Sequence, residues 1–214
     1  MEDDALAARA ARLGCATLVD AVGRVHGHRA HIPVMSSPDP LRPLSDPRPP
    51  SPTCPFRDDL AGTVRDFKHY FYGALGQEPA AGQVLVLSSG GHPEVSHGGG
   101  TKLARADGAD LAGVLADGRL RDFDQLRGTA SPPGAPGEAV RWGGDTIMPF
   151  AYGVAVEICG VCVNPGDYVH MDSAGGVVIP SATLHRVFAI AEDIAAEEAE
   201  AAGVIRGENA QPGG

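Results

Sequence analysis

The chain is poor in aromatic and in basic residues. Only 5% of its 214 residues are aromatic, and 17 lysines and arginines stand against 27 aspartates and glutamates. A protein that binds nucleic acid by neutralising phosphates needs a surplus of Lys and Arg on one face. The formal charge of −10 at pH 7 therefore predicts no nucleic-acid partner.

Long apolar runs are missing as well. No segment approaches the roughly 20 apolar residues that are needed to cross a bilayer. The amino terminus, Met1 to Asp4, is acidic where a secretory signal would be basic. These two absences predict a cytoplasmic protein with no membrane partner.

Cysteine is also scarce, with four copies in the chain. Cys159 and Cys162 form a Cys-x-x-Cys, a spacing found in redox pairs and in half of a structural zinc site. No second Cys-x-x-Cys or His-x-x-x-His supplies the other two ligands. The apolar residues around Gly160 instead favour two strands that meet at a tight turn.

Glycine and proline, in contrast, are abundant. The 29 glycines and 18 prolines predict a fold rich in turns and argue against a plain helical bundle. Half of the prolines lie in residues 33–55, which are predicted to form an extended loop or an insertion because proline removes backbone donors. The length suits a single domain, expected over residues 1–206, with a flexible tail over 207–214.

Apolar strand patterns alternate with helical patterns along the rest of the chain. The predicted elements are a helix over about 3–23 broken near Gly14, a helix over 66–76, a strand within 82–91, a helix over about 101–109, a strand at 111–116, a loop at 128–137, β segments at 154–163 and 168–179, and a final helix capped by Ser181. This order predicts the α/β class, as a layered α/β sandwich with a central mixed β-sheet or barrel and flanking helices.

Two glycine-rich strand exits carry the residues best suited to chemistry. The first, Ser88 to Gly100, closes with the run from His97 to Lys102, which leads into a helix. Such a setting favours a carboxylate or phosphate. The second is the segment 117–122, in which Arg121 could clamp a carboxylate and Asp122 could hold a hard divalent cation. An Arg-Asp pair is also common as a plain surface ion pair.

The spacing of these two exits resembles a family signature. Gly100, followed about twenty residues later by Arg121-Asp122, is similar to the signature of the family that joins class II 4-hydroxy-4-methyl-2-oxoglutarate aldolases with the regulator of ribonuclease E activity. The segments 160–168 and 172–180 are similar to the closing strands of that family. The resemblance covers roughly residues 14–25 and 60–206.

The resemblance implies an α/β sandwich that forms a homotrimer, or a dimer of trimers, with sites between subunits. In the aldolases of this family, the arginine that matches Arg121 binds the oxo acid, and the aspartate that matches Asp122 binds Mg²⁺ or Mn²⁺. A C-terminal glutamate of the neighbouring subunit completes the outer shell of the metal; Glu198 is the best match, with Glu192 and Glu197 close to it. The loop whose backbone amides hold the substrate carboxylate comprises Gly99, Gly100, Thr101 and Lys102.

The chain departs from the aldolases immediately after the loop glycine. They commonly carry an acidic residue there, whereas this chain has Thr101, which cannot act as a general base near neutral pH. Either another group takes that role, with His97, Asp117 and Asp145 as the candidates, or the chemistry differs from aldol cleavage. The single tryptophan, Trp142, either lines a pocket specific to a subtype or packs under a turn.

The resemblance predicts a divalent-metal-dependent lyase, of aldolase or decarboxylase type, that acts on a small 2-oxo acid or related carboxylate through an enolate. Its expected catalytic residues are His97, Arg121, Asp122 and Glu198. One alternative is a non-catalytic regulatory binding protein like the ribonuclease E regulator. Another is a family member recruited to a dedicated biosynthetic pathway with different chemistry.

Overall fold

The computed structural model describes residues 2–27, 30–32, 35–37, 44–45, 51–55, 67–76 and 82–209. Their helices are α1 (Glu2–Val25), α2 (Phe67–Leu75), α3 (Gly100–Asp107), α4 (Phe123–Leu126) and α5 (Leu184–Asn209). Their strands are β1 (His31–Ile32), β2 (Leu44–Ser45), β3 (Ser51–Pro55), β4 (Val84–Ser88), β5 (Gly113–Ala116), β6 (Pro133–Gly134), β7 (Ile147–Pro149), β8 (Val156–Ile158), β9 (Val161–Val163), β10 (Tyr168–Asp172) and β11 (Gly175–Ile179).

A mixed sheet in the order β6-β5-β4-β3-β7 lies at the centre of the fold. Strands β3, β4, β5 and β6 pair in parallel, and β7 pairs antiparallel to β3. Both β4 and β5 are buried along their whole length, as expected for continuous apolar runs covered on two faces. Because these strands are parallel neighbours, their carboxyl ends bring the two glycine-rich exits together at one edge of the sheet.

The terminal helices pack on an antiparallel sheet in the order β1-β11-β10-β2. Leu18 and Val22 of α1 and Phe188 of α5 are fully buried in this part of the core. The rings of Phe188 and Tyr168 pack edge to face, with centroids 5.7 Å apart. This sheet and the central one, with their helices, confirm the predicted layered α/β sandwich.

Helix α1 breaks where the sequence predicts it. Gly14 has φ 75° and ψ 161°, a conformation that is open to glycine and rarely to other residues. The next residue, Cys15, donates its backbone N–H to the Asp172 carboxylate at 2.8 Å. An acid of β10 therefore accepts a backbone donor that the break leaves without a helical partner.

The Cys-x-x-Cys lies in a β-hairpin, as predicted. Strands β8 and β9 pair antiparallel, with Cys159 at φ 50° and Gly160 at φ 84° in the two turn positions. Two consecutive residues with positive φ are characteristic of the type I′ hairpin turn. Cys159 and Cys162 are exposed free thiols.

Several sequence predictions differ from the structure at element boundaries. The proline-rich segment 33–55 contains β2 and β3, and β3 joins the central sheet; the other described part of this segment is 35–37. The loop predicted at 128–137 contains the short strand β6. Ser181 begins a 3₁₀ turn and does not cap α5.

The predicted flexible tail begins too early, because α5 continues to Asn209. Residues 210–214 of that tail lie outside the described residues. Of the described helices, none is both long enough and apolar enough to span a membrane.

Candidate functional site

The two glycine-rich exits run side by side at the edge of the central sheet. The His97 N–H donates to the Arg119 carbonyl at 2.9 Å, and the Arg121 N–H donates to the Gly98 carbonyl at 2.8 Å. Ser96 also bridges to Trp142. These backbone bonds hold three loops together, so residues far apart in the sequence line one surface.

The spacing of the glycines and the Arg-Asp pair has a steric cause. The Gly100 N–H donates to Asp122 Oδ2 at 3.1 Å, which ties the acid to the first turn of α3. A Cβ atom at Gly99 would overlap Asp122 Oδ2 and would press on Arg121. One at Gly100 would overlap the Gln125 side chain. The two glycines are therefore needed for the segment 121–125 to dock against the start of α3.

Asp122 has an unusual backbone conformation as the residue before α4. Its φ of 62° and ψ of 44° lie in the left-handed region, which non-glycine residues seldom occupy. Strain of this kind is often found at functional sites. Here it accompanies a carboxylate that faces the start of α3.

An open cavity of about 340 Å³ lies over this junction. It is lined by the loop residues Gly98, Gly99 and Thr101, and by Arg121 and Asp122. The structure thus brings together four of the residues expected to bind the substrate, which are Gly99, Thr101, Lys102 and Arg121. Gly100 is buried beneath them.

The cavity carries an excess of positive charge in an acidic protein. Among the described residues, Lys102, Arg105 and Arg121 line it and Asp122 is the one acid that does so. Within the described residues, the side chains of Arg105 and Arg121 pair with no carboxylate. Burial, and then the charge of Arg121, lowers the pKa of Lys102. The arrangement favours an anionic ligand.

Aromatic side chains form the wall opposite the loop. Phe71 and Tyr72 of α2 and the lone Trp142 line the cavity, and Tyr72 and Trp142 are 43% and 59% exposed. Sequence reasoning missed Tyr72 and Arg105 as lining residues. Arg105 was detectable, since it lies one helical turn after Lys102, whereas nothing in the local sequence distinguishes Tyr72.

A second cavity, of about 240 Å³, shares Arg121 and Asp122. It is also lined by Glu138 and by Val140, which is 92% exposed. Glu138 accepts the Phe123 N–H at 2.9 Å and thereby holds the start of α4. No sequence motif marks Glu138, which reaches this place through its bridge to Leu120.

None of the three candidate bases lines the larger cavity. His97 lies behind the loop, where its ring occupies the space that a Cβ atom at Gly118 would need. Burial and the nearby charge of Lys102 lower the pKa of His97 to about 4. A small cavity of about 40 Å³ separates it from part of the loop 143–149.

Asp117 and Asp145 have other surroundings. Asp117 is buried and accepts the Ser89 N–H, and burial raises its pKa to about 6. Asp145 is exposed, and its carboxylate accepts the Thr146 hydroxyl at 3.0 Å. Neither acid faces the Arg121-Asp122 junction as a lining residue.

The C-terminal glutamates differ in their partners. Glu192 pairs with Arg9 at 2.9 Å, and Glu197 pairs with Arg24 at 3.2 Å, so both join α5 to α1. Glu198 is exposed and makes no ion pair or hydrogen bond with the described residues. It does not line the cavity of its own chain.

The Asp122 carboxylate at the junction is a donor of the kind that suits a hard divalent cation. Mg²⁺ keeps several waters and is commonly held by one or two carboxylates together with substrate oxygens. Asp122 supplies one such carboxylate, in a cavity that also has room for an anionic ligand. The lone group of three potential metal ligands among the described residues is elsewhere, at Cys15, His170 and Asp172.

The α/β sandwich, together with an Arg-Asp pair that packs against a glycine-rich helix start, defines a class of proteins. The family model described as Aldolase/RraA, RraA-like, matches residues 59–179, which is more than half of the chain. The chain belongs to this family.

Curated relatives carry aldolase names. A protein of Paraburkholderia phytofirmans, provisionally named a 4-hydroxy-4-methyl-2-oxoglutarate aldolase, is 32% identical over 113 residues, which cover 51% of this chain and 65% of that protein. The 4-hydroxy-4-methyl-2-oxoglutarate aldolase of Thermus thermophilus is 29% identical over 133 residues, which cover 58% and 77%. The chain thus spans somewhat under two thirds of the first relative.

Solved structures share the fold. Streptomyces coelicolor RraAS2, described as an unusual member of the RNase ES inhibitor RraA protein family, has a TM-score of 0.77 and 24% identity, over 92% of this chain and 94% of that one. The RNA-processing inhibitor RraA from Thermus thermophilus has a TM-score of 0.56 and 21% identity, over 76% and 92%. At these identities the likeness shows the fold.

Proposed function

We propose that the chain is a divalent-metal-dependent carbon–carbon lyase that cleaves a small 2-oxo acid, or a related carboxylate, through an enolate. The aldolase names of its relatives support the reaction class. The observation that carries the proposal is the junction itself. There Arg121, which has no carboxylate partner among the described residues, adjoins an aspartate that the Gly100 N–H holds against the start of α3.

Arg121 and the start of α3 bind and orient the oxo acid. The guanidinium of Arg121 matches the geometry of a carboxylate, and the Thr101 N–H makes no hydrogen bond within the described part of the chain. Asp122 would hold Mg²⁺ or Mn²⁺. A bound divalent ion supplies electrostatic stabilisation for the oxyanion that develops on the oxo group.

The reaction balances without a Schiff base. In retro-aldol cleavage, the C4 hydroxyl loses its proton as the C3–C4 bond breaks, and the electron pair stays on the pyruvyl fragment as an enolate. That enolate takes up a proton at C3 to give pyruvate. Loss of carbon dioxide from an oxaloacetate-like substrate passes through the same enolate, so decarboxylation could share the site.

The group that takes the hydroxyl proton is a separate part of the proposal. Thr101 is unsuitable. His97 stays the predicted base. It is neutral at pH 7, its lowered pKa makes it a weaker base than a free imidazole, and it lines the small cavity beside Lys102 rather than the larger one. No hydrogen-bond partner for its Nε2 atom is found among the described residues.

A homotrimer, or a dimer of trimers, completes the proposal. Glu198 has no partner among the described residues, and it lies outside the cavity of its own chain. Its role therefore requires a neighbouring subunit, whose α5 would bring the carboxylate to the metal.

Pyruvate release from 2-oxo acid substrates tests this function. We expect release to need Mg²⁺ or Mn²⁺ and to stop in EDTA. Arg121→Ala and Asp122→Asn should each lower kcat/KM by about 100-fold or more, the range seen when one electrostatic group is removed. Arg127→Ala and Asp124→Asn, from an exposed ion pair on the same segment, are the matched controls and should stay within about twofold.

Two outcomes would overturn the proposal. One is activity that persists in EDTA. The other is a loss of activity in the two control variants as large as in Arg121→Ala and Asp122→Asn.

A regulatory binding protein is the second candidate function, and Thr101 favours it. A chain without the acid expected at this position could keep the glycine loop as structure alone. The solved RraA structures are described as inhibitors, which supports the same alternative. A thermal-shift measurement separates the two functions, since a ligand that binds the native state raises Tm. Stabilisation by Mn²⁺ with oxalate supports the lyase, and no shift supports the regulator.

A further inference from the structure

We infer that Lys102, Arg105, Tyr72 and Trp142 form a second subsite that accepts an aromatic ring carrying an anionic group. This inference rests on the proposed function. The substrate would be a 4-hydroxy-2-oxo acid whose C4 bears the charged ring. Cleavage of its C3–C4 bond, with loss of the hydroxyl proton, would give an aromatic aldehyde and an enolate, which takes up a proton at C3 to become pyruvate.

The cavity carries more positive charge than the binding of an oxo acid requires. Binding of the oxo acid uses Arg121 and the backbone at the start of α3, so the Arg105 guanidinium lies on the same cavity without a role in that binding. Arg105 has no carboxylate partner among the described residues, although the chain has ten more acidic than basic residues. Lys102 and Arg105 are three apart on α3, so their side chains lie on one face. A second anion would neutralise this surplus.

The second support is the wall of the cavity. Tyr72 and Trp142 are partly exposed aromatic rings in a chain that has few of them. The Arg105 guanidinium lies over the Tyr72 ring, with 5.4 Å between Cζ and the ring centroid. A Cβ atom at Gly144 would overlap the indole of Trp142, so that glycine leaves room for the ring. Flat apolar surfaces beside cations suit a charged aromatic ring.

The third support is size. The cavity of about 340 Å³ falls in the range of about 300–1,000 Å³ typical of sites for drug-sized ligands. A three-carbon oxo acid would leave much of that volume unfilled. Tyr72, Arg105 and Trp142 line the same cavity.

Tryptophan fluorescence tests the subsite without relying on activity. Trp142 is the only tryptophan in the chain, so its emission reports on this cavity. Terephthalate and 4-phosphonobenzoate carry a ring with two anionic groups, benzoate carries one, and succinate has no ring. We expect terephthalate or 4-phosphonobenzoate to bind at least about tenfold more tightly than benzoate and succinate, and the better of the two identifies the second anion.

Variants of Arg105 supply the control. Arg105→Gln should remove the preference for the second anion, and Arg105→Lys should restore most of it. Arg186→Gln, which removes an exposed arginine of α5, should leave all affinities within about twofold. Equal affinity for benzoate and terephthalate, or a preference that survives Arg105→Gln, would overturn the subsite.

A kinetic measurement separates this inference from the proposed function. Exchange of the C3 protons of pyruvate with deuterated water reports on enolate formation alone. In the aldol addition of pyruvate to an aldehyde, the KM for 4-carboxybenzaldehyde should be at least about tenfold below the KM for benzaldehyde. Arg105→Gln should abolish this difference and leave proton exchange unchanged. Exchange without a preference for the charged ring contradicts the subsite only, whereas absence of exchange contradicts the proposed function.

Discussion

Asp117 illustrates how the surroundings of one residue alter its chemistry. Burial raises the pKa of this carboxyl from 3.8 to about 6, the Ser89 hydrogen bonds partly oppose the rise, and the charge of Glu157 adds to it. A raised carboxyl pKa is often a sign of an acid–base catalyst. Here Asp117 faces Ser89 and Glu157 rather than the Arg121-Asp122 cavity, so the shift has consequences for stability.

Asp117→Asn should stabilise the protein above pH 6. The folded protein holds this proton more tightly than the unfolded chain, so ionisation of Asp117 lowers the free energy of unfolding as the pH rises from about 4 to 6, and the loss persists above. Asparagine cannot ionise and can still accept the Ser89 N–H. We expect urea denaturation to show a gain of about 1–2 kcal/mol at pH 8 that shrinks towards pH 4.

The control for this prediction is Asp124→Asn. Asp124 lies on α4 with a side chain that is 94% exposed, and its carboxylate takes part in a surface ion pair with Arg127. The change in the free energy of unfolding caused by Asp124→Asn should not depend on pH in the way expected for Asp117→Asn. A gain for Asp117→Asn of the same size at pH 4 and pH 8 would contradict the assignment.

At the scale of elements, the sequence predicts best where a periodic pattern coincides with burial. The strands β4 and β5 and the break in α1 follow from apolar runs and from Gly14, which are local signals. Strand β3 could not be predicted, because Pro52 and Pro55 disfavour a strand and its pairing with β4 and β7 is long-range. The same limit applies to the cavity: the family resemblance identifies Arg121 and Asp122, but α2 brings Tyr72 there only through tertiary packing.

The docking of α3 on the start of α4 predicts the effect of Gly99→Ala. The backbone of Gly99, at φ −146°, suits any residue, so the cost is steric: the new Cβ atom would overlap the Asp122 carboxylate and would press more lightly on Arg121 Cβ. We expect the carboxylate to move away from the Gly100 N–H, with a loss of about 100-fold in kcat/KM and weaker binding of Mn²⁺. Pyruvate release and metal titration measure the two effects.

Gly108→Ala is the matched variant at the other end of α3. Gly108 has helical dihedral angles, and a Cβ atom there would meet nothing closer than 3.7 Å. Its activity should equal that of the unmodified protein. Full activity of Gly99→Ala would show that the position of the Asp122 carboxylate does not matter for the reaction.

At the scale of the whole molecule, the site borders exposed apolar surface. Val140 and Trp142, at 92% and 59% exposure, lie beside the Arg121-Asp122 junction. Exposed apolar groups that cluster around a functional cavity often mark an interface between subunits. This placement supports the proposed homotrimer, in which a neighbouring chain would cover Val140 and leave the Trp142 ring open to the cavity.

A mixture of two inactive variants tests whether the site is shared between subunits. Arg121→Ala damages the cavity of its own subunit. Glu198→Gln leaves that cavity intact and removes the carboxylate that the subunit would supply to the cavity of its neighbour. Equal co-expression should therefore restore about a quarter of the unmodified activity, because half of the cavities are intact and half of their neighbours carry Glu198. Co-expressing Arg121→Ala with Asp122→Asn is the control, since both defects lie in the same cavity and no combination of subunits repairs it. Pyruvate release from the purified mixtures measures the result, and a first mixture no more active than the control would contradict a role for Glu198 across the interface.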